Sequence, residues 1–112
     1  MAAVANLFMD QGSTFTASVN VQDTNGDAFD LTGYSANSQM RKSYSSSTAY
    51  TFSATIADDP TTGVVNLSLP ATTTSNISEG RYVYDVEIVA SDSTVTRVIE
   101  GIITVLPEVT KI

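Results

Sequence analysis

Apolar residues recur at every second position in five separate stretches of the chain. Phe15, Ala17, Val19 and Val21 alternate with Thr16, Ser18 and Asn20. Tyr34, Ala36, Ser38 and Met40 share one parity, as do Tyr50, Phe52, Ala54 and Ile56. Val65, Leu67 and Leu69 repeat the pattern, and so do Tyr82, Tyr84, Val86 and Ile88. Side chains two apart lie on the same face of a pleated strand, so each stretch predicts a half-buried antiparallel strand. Thr94 to Leu106 is apolar on both parities around Val98, Ile99, Ile102 and Ile103. Gly101 in its middle predicts a bulge or a close backbone approach. A short strand around Val4 to Met9 brings the expected number to seven.

Turn signals separate these stretches. Asp23 to Asp27 contains Asn25-Gly26, and Asp59-Pro60 opens a turn that Gly63 closes. Arg41 to Thr48 is short and Ser-rich and reads as a hairpin connection, as does Ala90 to Ser93. Ala71 to Gly80 is the longest connection, with room for one helical turn. Seven short strands without a long helix predict an all-β sandwich in preference to a small barrel. The 112 residues fit one domain over 1–112, with 1–13 as its first strand or an N-terminal arm.

Composition narrows the chemistry. Ser and Thr abound while Leu, Glu and Lys are scarce, which suits strands and turns. Cysteine, histidine and tryptophan are all missing from the sequence. That removes disulfides, the usual catalytic base, the strongest nucleophile and the commonest zinc ligands. No cofactor is expected. A net charge of -7 argues against a nucleic-acid or anionic-membrane partner. The opening MAAVANLFMDQG has no basic stretch and is not expected to be a signal peptide. No apolar run approaches the roughly 20 residues of a membrane-spanning helix. Without a visible secretory route, the glycosylation sequons at Asn66 and Asn76 carry little meaning.

Three groups of residues are candidates for chemistry. Asp23, Asn25, Asp27 and Asp30 place oxygen ligands at calcium-loop spacing. The EF-hand pattern then fails at Ala28 and Tyr34, and such loops are more often turns whose Asp and Asn bond their own backbone. Asp85 and Glu87 share a sheet face about 7 Å apart, within the roughly 6.5–9.5 Å of inverting glycosidases. Arg81 shares that face, so a surface ion-pair row is the expectation, and an enzyme is not. The tyrosines could form a sugar-binding surface, but Tyr34, Tyr50, Tyr82 and Tyr84 share their strands' apolar parity. Only Tyr44, in the Ser-rich loop, is expected to be exposed.

Ser78-Glu79-Gly80-Arg81-Tyr82-Val83-Tyr84-Asp85 resembles the entry to strand F of immunoglobulin-like domains. The resemblance makes Tyr82 the corner tyrosine, and puts Tyr84 where antibody-type domains carry a cysteine. The whole chain also resembles small immunoglobulin-like structural proteins of tailed bacteriophages. It is similar to the N-terminal domain of upper-baseplate proteins and to virion structural proteins of cyanophages. The resemblance is carried by Asp10 to Phe15, Phe29 to Tyr34, Gln39 to Ser43, Gly80 to Glu87 and Glu100 to Thr110. It implies an immunoglobulin-like antiparallel β-sandwich of about seven strands. The implied role is that of a non-enzymatic virion structural protein of tail, baseplate, neck or capsid surface. Its implied partners are other virion proteins, met in many copies in a symmetric assembly built in the host cytoplasm. The alternative is a receptor- or glycan-binding adhesin module on the particle.

The N-terminal stretch carries the candidate interface: Val4, Leu7, Phe8 and Met9. Two readings stand here. The segment is the first strand of its own sandwich, or it pairs with a neighbouring protein by strand addition.

Overall fold

The computed structural model describes residues 3–110. Its nine strands are β1 (Ala3–Val4), β2 (Leu7–Asp10), β3 (Phe15–Asn20), β4 (Ser35–Arg41), β5 (Tyr50–Thr51), β6 (Ser53–Ile56), β7 (Val64–Leu69), β8 (Gly80–Val89) and β9 (Val95–Leu106). The seven expected stretches become nine because two of them break. Tyr50–Ile56 changes sheet at Phe52: Tyr50 pairs with Met40, whereas Ser53 pairs with Ser68. Phe52 at the crossing is buried. The N-terminal stretch breaks at Ala5–Asn6.

One sheet holds β9, β8, β4 and β5 in that order, with β1 and β2 both on the free side of β9. The other has the order β3-β7-β6. This is the connectivity of immunoglobulin-type sandwiches, in which strands B, E and D face G, F, C and C′. The all-β sandwich expected from the sequence is therefore present. The purely antiparallel sheet is not, because β1 and β2 run parallel to β9. The chain leaves β2 through Gln11–Ser13 and crosses directly to β3 in the opposite sheet.

Alternation on each strand builds the core. Phe15, Val19, Val65, Leu67 and Leu69 of the small sheet are buried, as are Met40, Tyr82, Tyr84, Val86, Ile88, Ile99, Ile103 and Val105 of the large one. Each side chain of this size contributes roughly 1.5–3 kcal/mol when removed from water. Leu31, Ile77 and Phe52 belong to the same buried cluster. Tyr34 and Tyr50 are half-buried and packed against this core.

The corners are built as the sequence foretells. Tyr82 donates its hydroxyl to the Ser78 carbonyl at 2.8 Å, which is the corner bond. Gly80 before it has φ of 134°, a conformation that side chains disfavour. Pro60–Thr62 forms a 3₁₀ turn whose first donor, the Thr61 N–H, is accepted by the Asp59 carboxylate. The expected helical turn is Ala71–Thr74, and its buried Thr74 hydroxyl donates to the Ser13 carbonyl at 2.8 Å.

The N-terminal segment belongs to its own sandwich. The Ala5 N–H donates to the Glu100 carbonyl at 2.9 Å, and the Ala5 carbonyl accepts the Tyr84 hydroxyl at 2.6 Å. The Asn6 side-chain oxygen accepts the Ile102 N–H at 3.0 Å, filling the ladder where the strand breaks. Gly101 is the close approach expected of it, since a Cβ there would run into the Ala5 carbonyl oxygen. The bulge lies elsewhere, between the partners of Val86 and Glu87, where Val98 is the extra residue of β9.

Two outcomes are expected. Gly101→Ala should lower the unfolding free energy by about 1–3 kcal/mol, the range for forcing atoms into a packed site, as read by urea denaturation. Amide exchange at Ala5 should rise with it. Burial also pushes the Tyr84 hydroxyl up from 10.0 to about 12. The folded chain then keeps a proton that the unfolded chain loses near pH 10, so this group's contribution is intact below about pH 10 and lost towards pH 12. The thermal midpoint should fall across that window, and less steeply in Tyr84→Phe.

Candidate functional site

Inward burial on β4 and β8 leaves their opposite faces to solvent. Asn37, Gln39 and Arg41 project outward from β4, and Val83, Asp85 and Glu87 from β8. Register sets Gln39 beside Asp85 and Asn37 beside Glu87. With Thr51 of β5 and Tyr44 of the following loop, these residues line an open groove of about 480 Å³. Beneath it the buried Ser38 hydroxyl donates to the Asp85 carbonyl at 2.6 Å, fastening β4 to β8.

The loop that carries Tyr44 is tied down from below. The Gln39 amide donates to the Thr51 hydroxyl at 3.0 Å, and the Arg41 guanidinium donates to the Gln39 side-chain oxygen at 3.1 Å. A second Arg41 nitrogen donates to the Ser46 carbonyl at 2.7 Å. Tyr44 is thus held 75% exposed at the rim, as expected for the one solvent-facing tyrosine. An aromatic face, two amides and two carboxylates are a set that can bind hydroxyl-rich ligands.

Asp85 and Glu87 do share this groove, but the expected ion-pair row with Arg81 does not close. Arg81 stands two outward positions from Asp85, about 13 Å along the strand, with Val83 between them. The ion pair found among the described residues joins Arg97 and Glu100 at 3.3 Å on the β9 surface. Partly exposed pairs of this kind add little stability.

The candidate interface divides by parity. Met9 is 1% exposed and Leu7 is half-buried against the core, so neither is available to a partner. Val4 and Phe8 are each 69% exposed on the opposite side. Phe8 pairs with Thr104 and so lies diagonally beside Ile102 and Leu106, which are 41% and 42% exposed. Val4 pairs with Glu100 and is diagonal to Ile102. The result is a strip of exposed apolar side chains, with Glu100 and Thr104 among them, on the outer face of the β1/β2–β9 edge. The double-parity apolar run of β9 was its sequence signal. Nothing in the sequence marked the tie from Gln39 and Arg41 to the Tyr44 loop, which depends on how that loop curls.

Two of the four calcium candidates, Asp23 and Asp30, bond within their own loops. One Asp23 oxygen accepts the Asn25 and Asp27 N–H groups at 2.9 and 3.0 Å. Asp30 accepts the Thr32 N–H and hydroxyl at 3.0 and 2.6 Å, and those bonds hold its carboxyl below the usual range. Among the described residues no three acidic side chains are grouped to hold a metal ion, and no helix is long and apolar enough to cross a membrane.

No protein-family model and no curated protein matches the sequence. Among solved structures, an internalin-like protein of Listeria monocytogenes is similar at 18% identity and a TM-score of 0.48. That match covers 94% of this chain and 28% of the other. A family 123 glycoside hydrolase from Clostridium perfringens is similar at 15% identity and a TM-score of 0.39, over 95% of this chain and 23% of its own. This chain therefore spans about a quarter of each protein's length, and likenesses this distant carry no argument about function.

The Asp23 geometry generates a prediction. Asp23→Ala should cost about 1 kcal/mol, because two backbone donors lose their acceptor. Millimolar calcium should leave the thermal midpoint of the unaltered chain where it is. A calcium-dependent rise would mean that the loop rearranges around the ion.

Proposed function

We propose that this chain is a non-enzymatic structural domain of a tailed-bacteriophage particle, working through protein–protein contacts. The particle assignment rests on the sequence resemblance, carried through Asp10 to Phe15, Gly80 to Glu87 and Glu100 to Thr110. The observation that carries the contact-making role is the strip of Val4, Phe8, Ile102 and Leu106. Four large apolar side chains kept together in water on a chain this acidic mark a surface that another protein covers. Val4 and Phe8 lie on strands that pair with β9 of their own sandwich, so the N-terminal segment is not a free arm, and contact here is made by its exposed side chains.

A second reading has its own observation. Tyr44 above Asn37, Gln39, Asp85 and Glu87 suits a glycan or receptor carrying hydroxyl groups, which would make the domain an adhesin module.

Quantitative mass spectrometry of purified particles tests the structural reading, and binding by Tyr44→Ala particles tests the adhesin one. A structural component appears at a fixed, symmetry-related copy number. Phe8→Ser should then fall out of particles while its thermal midpoint stays within about 0.5 kcal/mol equivalent, as exposed positions do. Tyr44→Ala should enter particles normally. Normal incorporation of Phe8→Ser would overturn the structural reading. Loss of host-cell or glycan binding in Tyr44→Ala, with normal incorporation, would establish the adhesin role.

A further inference from the structure

Four open edges bound the two sheets, and each edge presents unpaired N–H and C=O groups that template another strand. Three of them are short or interrupted. β5 has two residues, and β6 has four and leads into Asp58 and Asp59. The β1/β2 edge is broken at Ala5–Asn6 and ends on Asp10. The fourth, β3, runs unbroken from Phe15 to Asn20 without a charge, a proline or a register shift.

The ladder determines which groups are open. The Val21 N–H bonds to the Gly63 carbonyl directly opposite, in the same register that pairs Phe15 with Leu69. Antiparallel bonding alternates along a strand, so Phe15, Ala17 and Val19 turn their N–H and C=O groups towards β7. Those of Thr16, Ser18 and Asn20 point away from it, and among the described residues nothing is bonded to them. The hairpin that returns through Phe29 does not cover them. Its N–H reaches the Val21 carbonyl at 2.9 Å, on the β7 side.

We propose that β3 pairs antiparallel with β3 of a second copy about a two-fold axis at Ser18, joining two three-stranded sheets into one. Ser18 then faces its own counterpart, and Thr16 of each copy faces Asn20 of the other. Three such pairs exchanging two hydrogen bonds each satisfy every outward group of the strand. The side chains of the row are hydroxyls and an amide, which pair across strands without repulsion. On the inner side, Ala17 is half-buried between the buried Phe15 and Val19, and it comes to lie opposite Val19 of the second copy. A chain of net charge -7 with no charge in this strand has left one edge where its own copies can meet. The edge offers no charged group to select a foreign peptide. A strand pair of this length buries less than a standard stable interface, so the association is weak and concentration-dependent. Repulsion between two acidic bodies acts from outside the strand, so salt strengthens the pairing.

Sedimentation equilibrium from about 10 μM to about 1 mM, a range chosen for weak association, tests it together with amide exchange. The mass should pass from monomer to dimer, more readily at high salt. The Thr16, Ser18 and Asn20 amides should slow more than tenfold in the dimer. Ser18→Lys, at an exposed position, places like charges opposite each other and should stay monomeric with an unchanged fold. The double substitution Thr16→Lys with Asn20→Lys, which sets a lysine opposite a lysine at both ends of the paired strands, serves the same purpose should Ser18→Lys misfold. Monomeric mass across the whole range overturns the proposal. A dimer that survives both substitutions also overturns it, as does one whose new protection lies around Phe8.

Discussion

The apolar row of Tyr82, Tyr84, Val86 and Ile88 pressed against the small sheet is the interaction on which the rest of the structure depends. Its strand, β8, pairs along its length with β9 and from residue 83 to residue 89 with β4. Because these four residues face inward, Val83, Asp85 and Glu87 must face outward, and the groove exists for that reason. The two tyrosines also extend the row's influence beyond packing. Tyr82 fixes the corner that starts the strand, and Tyr84 reaches across β9 to hold the N-terminal segment. Any change that rotates β8 would therefore disturb the core, the corner and the first strands together.

Much of this could be read from the sequence, because the period of two is a direct record of burial on one face. The inward parity of β3, β4, β7 and β8 follows from it without exception. The Tyr82 corner and the positive φ of Gly80 follow from a local motif. Three features were not legible. The crossing at Phe52 keeps its alternation unbroken, so the pattern cannot say that the strand changes sheets. The parallel pairing of β1 and β2 depends on a partner some hundred residues away, and parity alone does not choose between its own sheet and a neighbour's. For the same reason Leu7 and Met9 read as interface residues, although alternation had already separated them from Val4 and Phe8. The ion-pair row on Arg81, Asp85 and Glu87 failed on distance, since sharing a face is not the same as being adjacent on it.

The outer surface divides into regions of distinct chemistry. The polar groove over β4 and β8 carries carboxylates and an aromatic rim, while the β1/β2–β9 edge is apolar. The β3 edge displays backbone and uncharged side chains. Each uses a different kind of attraction, so they can be occupied independently. Substitutions at Tyr44, Phe8 and Ser18 probe them one at a time, because all three side chains are exposed.

The pairing of Asp10 with Leu106 sets an order on how the chain comes into being. A ribosome delivers β1 and β2 well before β9, their partner strand among the described residues, so the two wait unpaired until β9 has emerged. Until then the nascent chain exposes Leu7, Phe8 and Met9, and the sandwich must assemble around β8 without them. Closing so long a loop is entropically unfavourable, so this step comes at the end of folding and its reversal at the start of unfolding. β1 and β2 are therefore made before the rest of the sandwich and are the last of it to find their place.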